Sequence, residues 1–503
     1  KSMWQKIKSL FFKNQGTRQT VAKNTFWLTV SNFGGRALRA VLVIYAARLL
    51  GADGWGVFSY AISLVAFITS FMDIGINSIL IRETVKAEGD AARRKVLSTA
   101  FITKTVGLAL GILAVLFITP HVTSVKEVNS ILGIIIFVLI FDTFRDFGFN
   151  IIRSLEKMEW EAALYILTNV AILAFGIVFL LLSKSVQSLA LSYAIGDSVG
   201  LIATYWLLKN HLGGLLRNFS KSTLKMIFLS AWPFAISGIL GVLMLNADIL
   251  IIGWLKSATD VGLYSAAQRI VQLIYLIPAI IGISALPTFS RLANKDNAKM
   301  RRVIERLVSL TFAFGIPIAI GGFILGGPLI LLIFGQAYAG GIPSFQILIL
   351  TILADFPAVI FSGLIFSYDR QRTLILNSVI AGTLNILFDF LLIPHLGITG
   401  SAIATFLAQF ISMRYLWWIA KRTNRFEVLP YLTRVFLAAA AMGAVAFGLN
   451  AAGLEVLVNI AISGAVYAGI LFFLREPLIK EMKLILRPDA PVESLAPVEP
   501  GRV

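Results

Sequence analysis

Residues 24–49, NTFWLTVSNFGGRALRAVLVIYAARL, decide the fold. As an α-helix this stretch reaches about 39 Å, more than the ~30 Å hydrocarbon core of a bilayer. Most of its side chains are apolar, yet Arg36 and Arg39 sit near its middle. A cation at that depth costs at least about 2.5–3.5 kcal/mol on insertion scales. Residues three apart share a helix face. The stretch therefore predicts a membrane-crossing helix with one charged face turned away from lipid, towards water or an anion.

The rest of the chain repeats the apolar pattern. Of its 503 residues, 58% are hydrophobic and 14% charged, against about 25% charged in a soluble protein. Mean hydropathy is +0.85. The fold class is all-α and polytopic. A β-barrel would show strands of about ten residues with alternating polarity instead. Fourteen spans are predicted, at 24–49, 56–77, 97–118, 130–150, 163–183, 186–208, 226–255, 262–286, 305–333, 343–366, 373–393, 398–420, 430–449 and 454–474. Residues 1–23 read as a basic amphipathic segment on the cytoplasmic leaflet, and 476–503 as a cytoplasmic tail. Fourteen crossings put both ends on one side. That side carries more than thirty lysines and arginines, whereas the other has only Lys126, Lys184 and Lys256. The asymmetry predicts cytoplasmic termini. It also turns the net charge of +18 into a topology signal rather than a sign of nucleic acid.

The chain also repeats itself. Shifted by 206 residues, 24–61 falls on 230–267 without a gap. Ser31, Gly35, Leu49, Ala52, Gly56, Ser59 and Ala61 then meet Ser237, Gly241, Leu255, Ala258, Gly262, Ser265 and Ala267. Both copies run in the same direction through the membrane, which makes them parallel repeats. The expected domains are an amino-terminal six-helix lobe (24–225), a carboxy-terminal six-helix lobe (226–425) related to it by a pseudo-twofold axis, and two extra helices (426–475). Arg36 and Arg39 fall on Val242 and Leu245 in the second copy, so the repeat does not itself require the cationic face.

Ionisable residues within the spans carry the chemistry. The cations are Arg36, Arg39, Lys104, Arg145, Arg269 and Arg414, and the anions include Asp73, Asp142, Asp146, Asp197, Asp248, Asp355 and Asp389. Depth pairs Asp73 with Lys104 and Asp248 with Arg269, and Asp142, Arg145 and Asp146 share a turn. No acid lies within four residues of Arg36 or Arg39. A guanidinium binds phosphate oxygens bidentately and keeps its charge, so an unpaired arginine in a cavity suits a phosphate or carboxylate. Arg36, Arg39, Lys104, Arg145 and Arg269 are the expected substrate contacts, with Asp248 and Asp355 as candidates for coupling to a proton or sodium ion. No cysteine is present, and His121, His211 and His395 are scattered without metal-ligand spacing. No metal site, organic cofactor or nucleotide-binding motif is expected.

The run KNTFWLTVSNFGGRALRAVLVIYAARLLGADGWGVFSYAISLVAFITSFMDIGINSILIRETVKA, with ADILIIGWLKSATDVGLYSAAQRI in the second copy and FGQAYAGGIPSFQIL beyond it, resembles the polysaccharide transporter family. Its members are the Wzx-type oligosaccharide flippases of the multidrug/oligosaccharidyl-lipid/polysaccharide exporter superfamily. The resemblance covers nearly the whole chain. It implies two six-helix lobes and alternating access in the plasma (inner) membrane, with a prenyl-pyrophosphate-linked oligosaccharide passing from the inner to the outer leaflet. It also implies cationic lumen residues, matched here by Arg36 and Arg39, and polysaccharide polymerase machinery as a partner. The two extra helices resemble those of fourteen-span members and of peptidoglycan-precursor flippases. A peptidoglycan-precursor flippase and a drug/cation antiporter are the rival readings. The latter would want unpaired carboxylates. A membrane enzyme is disfavoured, because the external loops are too short to carry a catalytic domain. The double substitution Arg36→Ala with Arg39→Ala is expected to abolish export at unchanged protein level, read by immunoblot beside a cell-surface glycan assay.

Overall fold

The computed structural model describes residues 16–73, 75–117 and 119–474, and these are helical almost throughout. The tail at 476–503 and most of the segment at 1–23 lie outside the described residues. The first helix begins at Thr17, so residues 17–23 extend the first span.

Eleven helical segments are long and apolar enough to cross a membrane. Two of them, of 51 and 53 residues, are about twice the required length. Each is broken at one glycine, Gly51 (φ 69°) in Thr17–Asp73 and Gly397 (φ 59°) in Gln371–Thr423. Positive φ costs an L-residue roughly 1–2 kcal/mol and costs glycine little, which is why the helix breaks there. The halves fold back on each other. Arg39 and the 62–73 segment line one cavity, and Asn385 and Asn377 reach Thr405 and Ser412 across the second break. Leu132–Ser154 completes the set of fourteen. It holds Asp142, Arg145 and Asp146 at its centre, too many charges for an apolar window. We label the spans α1 and α2 (17–50 and 52–73), α3 (Asp90–Phe117), α4 (Leu132–Ser154), α5 (Met158–Leu182), α6 (Val186–Leu208), α7 (Lys221–Leu255), α8 (Ala258–Ile274 and Leu276–Leu292), α9 (Asn297–Phe334), α10 (Ile342–Leu350 and Ile352–Ser367), α11 and α12 (371–396 and 398–423), α13 (Leu429–Ala451) and α14 (Val456–Phe473).

Packing divides the chain into two compact units, Lys1–Gly262 and Leu263–Val503. In the first, α1 packs on α5, α2 packs on α7, and α6 packs on α4 and α5. Small residues set these distances, as is usual where helices pack in lipid. A Cβ on Gly35 would lie 2.2 Å from the Tyr165 ring, and one on Gly200 would collide with Thr168 and crowd the Arg145 stem. Repeat-equivalent residues meet at the unit's end. A Cβ on Gly56 would lie 1.7 Å from the Ala258 carbonyl oxygen, and one on Gly262 would lie 1.8 Å from that of Ala52. The Thr259 hydroxyl donates to Asp53 beside this contact, at 3.2 Å.

In the second unit, Phe289, Met300, Ile304, Val308, Phe361 and Leu364 form a buried core between α8, α9 and α10. The rings of Phe361, Trp417 and Phe426 meet at 5.2–5.5 Å. The breaks within α8 and α10 are joined, because the Tyr275 and Thr351 hydroxyls at the two breaks lie 2.6 Å apart. Helix α13 packs on α9, and α14 docks on both, where Tyr467 donates to the Ala313 carbonyl at 2.6 Å. Because the Gly56 and Gly262 contacts are backbone to backbone, no side chain can move to admit a Cβ. Gly56→Val and Gly262→Val are each expected to remove most folded protein, whereas Gly54→Ala, which meets only side chains, retains it. Detergent-extracted monodisperse protein from a fluorescent fusion checks this, and equal yields across the set would refute it.

Candidate functional site

A cavity of about 480 Å³ lies inside the first unit. Its walls come from α1 (Arg39), α2 (including Val65, Thr69 and Asp73), α4 (Asp142, Arg145, Asp146), α5 (Tyr165), α6 (Tyr193, Asp197) and α7 (including Phe234, Gly238 and Val242). Asn77, at the start of the short helix Ile76–Lys86, completes it.

Two charged clusters hold the walls. Arg145 lies buried between Asp142, one turn back on α4, and Asp197 on α6, and bonds both carboxylates. Lys104 on α3 reaches Asp73 at 3.3 Å and Asp146 at 3.2 Å. Asp146 also accepts from Asn77 at 2.7 Å and from Asn150 at 3.3 Å, and Asn150 donates to Asn77 at 2.8 Å. A buried cation without a carboxylate would be strongly destabilising, so these pairs explain how the charges survive among apolar helices.

Arg39 differs from both. Its Nε donates to the Asn169 side-chain oxygen at 3.2 Å, and its guanidinium lies 5.7 Å from the centre of the Tyr193 ring. No ion pair to it occurs among the described residues, although Asp197 is near enough to interact through space. A neutral amide partner leaves most of the guanidinium donors available to an anion.

The five expected contacts are thus distributed unevenly. Arg39 and Arg145 line the cavity, and Lys104 stands behind Asp73 and Asp146. Arg36 is exposed and is not among the lining residues. Three residues on a helix turn through about 300°, leaving an offset of about 60°, enough to separate it from Arg39. Gly35 sets that rotation by letting α1 approach Tyr165 and Asn169. Arg269 belongs to the second unit and donates to Gln272 at 3.3 Å. Of the coupling candidates, Asp248 is buried on α7 outside the cavity lining. Asp355 on α10 lies near Tyr275, and its Oδ2 is buried without a hydrogen-bond partner.

The expected cationic residues share the cavity with acids. Its lining holds two arginines and four aspartates, and most of that charge is internally paired. Asn169, Tyr193 and Asp197 were missing from the expected site. The signal for them was present, since a polar residue inside an apolar span is a functional candidate by default.

The comparisons with known proteins agree with this architecture. The family described as polysaccharide biosynthesis protein matches residues 21–293, which include the whole cavity, and the MatE family matches residues 233–391. An O-antigen transporter of Shigella flexneri is 23% identical over 353 residues, covering 67% of this chain and 82% of that protein. The flippase AglR of Haloferax volcanii is 24% identical over 430 residues, covering 81% and 85%. The lipid II flippase MurJ, in its inward closed conformation, shares the fold with a TM-score of 0.74 at 16% identity, over 90% of this chain and 99% of that one. With more than half of its length matched, the chain belongs to the polysaccharide biosynthesis protein family.

Proposed function

We propose that this chain is a flippase that carries a prenyl-pyrophosphate-linked oligosaccharide from the inner to the outer leaflet by alternating access. It is a transporter rather than an enzyme, and sits in the plasma (inner) membrane with both termini in the cytoplasm. The observation that carries the reading is Arg39, a cavity arginine with an amide partner in a network whose other cations are neutralised by aspartates. A diphosphate presents the anionic oxygens that such a fork binds. The names of the relatives support a lipid-linked glycan as cargo, and the Lys and Arg asymmetry supports the orientation. Polysaccharide polymerase machinery is the downstream partner.

A drug/cation antiporter is favoured by one observation, the four lining aspartates. Each of those four faces Arg145 or Lys104, which leaves less negative charge for a cationic drug. A peptidoglycan-precursor flippase has the fold likeness on its side, and it would use Arg39 in the same way.

Direction follows from charge. Two negative charges moving outward gain roughly 4–5 kcal/mol at 100 mV inside-negative. Membrane potential is therefore the proposed drive, with Asp248 and Asp355 as sites for a coupling proton or sodium ion. Transport of a labelled lipid-linked glycan in proteoliposomes should quicken when such a potential is imposed, and indifference to it would reject the drive.

Arg39→Gln is expected to lower glycan export at least tenfold with protein level within about twofold, a loss equivalent to roughly 1.4 kcal/mol or more. Arg145→Met should instead deplete the folded protein, because it leaves Asp197 buried without its cation, at a cost of about 3–5 kcal/mol. Normal export by Arg39→Gln would overturn the assignment of the diphosphate contact.

A further inference from the structure

A second polar pocket lies in the first unit, away from the cavity, and shares no lining residue with it. It measures about 200 Å³ and forms where four segments end: the short helix Ile76–Lys86, the start of α3, the end of α4 and the loop after α6. Arg93 and Arg94 project from the first turn of α3, and Asn210 and His211 come from the loop. Arg93 is half-buried, while Arg94 and His211 are exposed. The side chains of these three make no hydrogen bond or ion pair among the described residues. The carboxylate on the rim is Asp90, in the same first turn.

The floor supplies an independent observation. Thr84 lines this pocket, is 1% exposed, and has a buried hydroxyl with no hydrogen-bond partner. Buried hydroxyls are almost always bonded, because an unmade bond costs the desolvation of the group. The Thr84 hydroxyl is therefore a donor left unused at this pocket. Two guanidinium forks select an oxyanion with several acceptor oxygens. The amino-terminal end of the 28-residue α3 adds unsatisfied amides and the positive end of its dipole. The volume suits one phosphate group with a short organic stub and is small for a glycan diphosphate.

We infer that this pocket is a binding site for a single phosphate group, separate from the cargo cavity. Two sources supply that chemistry: the head group of an anionic phospholipid, or free phosphate. All four segments end on the side that the Lys and Arg distribution places in the cytoplasm, where anionic head groups concentrate. A bound phosphate would tie together the ends of the short helix, α4 and α6, which also wall the cavity, and of α3, whose Lys104 stands behind that wall. The inference does not rest on the transport reading, because it concerns binding alone.

The test is a melting-temperature and titration series on the full chain in detergent. The probes are sodium phosphate against sodium chloride at equal ionic strength, and soluble short-chain phosphatidylglycerol against short-chain phosphatidylcholine. Saturable stabilisation of the wild type is expected from at least one of the two anionic probes. Stabilisation by phosphatidylglycerol alone assigns the site to lipid, and stabilisation by millimolar phosphate assigns it to the free anion. The double substitution Arg93→Gln with Arg94→Gln should weaken the effective probe about tenfold, as expected for lost charged hydrogen bonds. Thr84→Val should weaken it several-fold, and Lys95→Gln, a charge neighbour that does not line the pocket, should leave it unchanged. No stabilisation of the wild type by either anionic probe overturns the inference, and so does equal loss in Lys95→Gln. If the double variant does not fold, the wild-type arms and Thr84→Val still decide it.

Discussion

Charge inside a bilayer-spanning protein has to be answered locally, and the first unit is built around two such answers. Arg145 is held by Asp142 and Asp197, and Lys104 by Asp73 and Asp146. Together these contacts join α2, α3, α4 and α6 and fix the walls of the cavity. Because each cation faces two carboxylates, the walls carry two excess negative charges before Arg39 is counted and one after it. Within that set Arg39 is the cation whose hydrogen-bond partner is an amide and not a carboxylate, which leaves its fork to a ligand. That economy suits a carrier, which has to release what it binds.

Much of this was legible in the sequence. Span positions follow from apolar run length, and the predicted gaps between spans 1 and 2 and between spans 11 and 12 contain Gly51 and Gly397, where the helices break. The pairs Asp73–Lys104 and Asp142–Arg145 follow from depth and helical spacing. Asp146 could not be placed the same way. It shares a turn with Arg145 yet turns to Lys104, because Asn77 and Asn150 hold it there. Nor could spacing separate Arg36 from Arg39. Their shared face is real to within about 60°, but which edge of it enters the cavity depends on how closely Gly35 admits Tyr165. Rotation of a helix about its axis is a property of packing, and a sequence pattern constrains it only to a quadrant.

The second unit answers its polar groups differently. Tyr275 and Thr351 occupy the breaks in α8 and α10, and a short hydrogen bond joins the two discontinuities, with Asp355 one turn further on. Helix breaks release backbone groups that lipid cannot satisfy. Placing two breaks side by side confines that liability to one buried spot, and it leaves an acid next to the most deformable points of both helices.

The reciprocal contact of Ala52 and Gly56 with Ala258 and Gly262 has an evolutionary consequence. Residues that occupy the same place in two repeats touch one another, and they do so backbone to backbone. A seam of this kind has no side chain that can yield, so drift at Gly56 and Gly262 is closed to every residue that carries a Cβ.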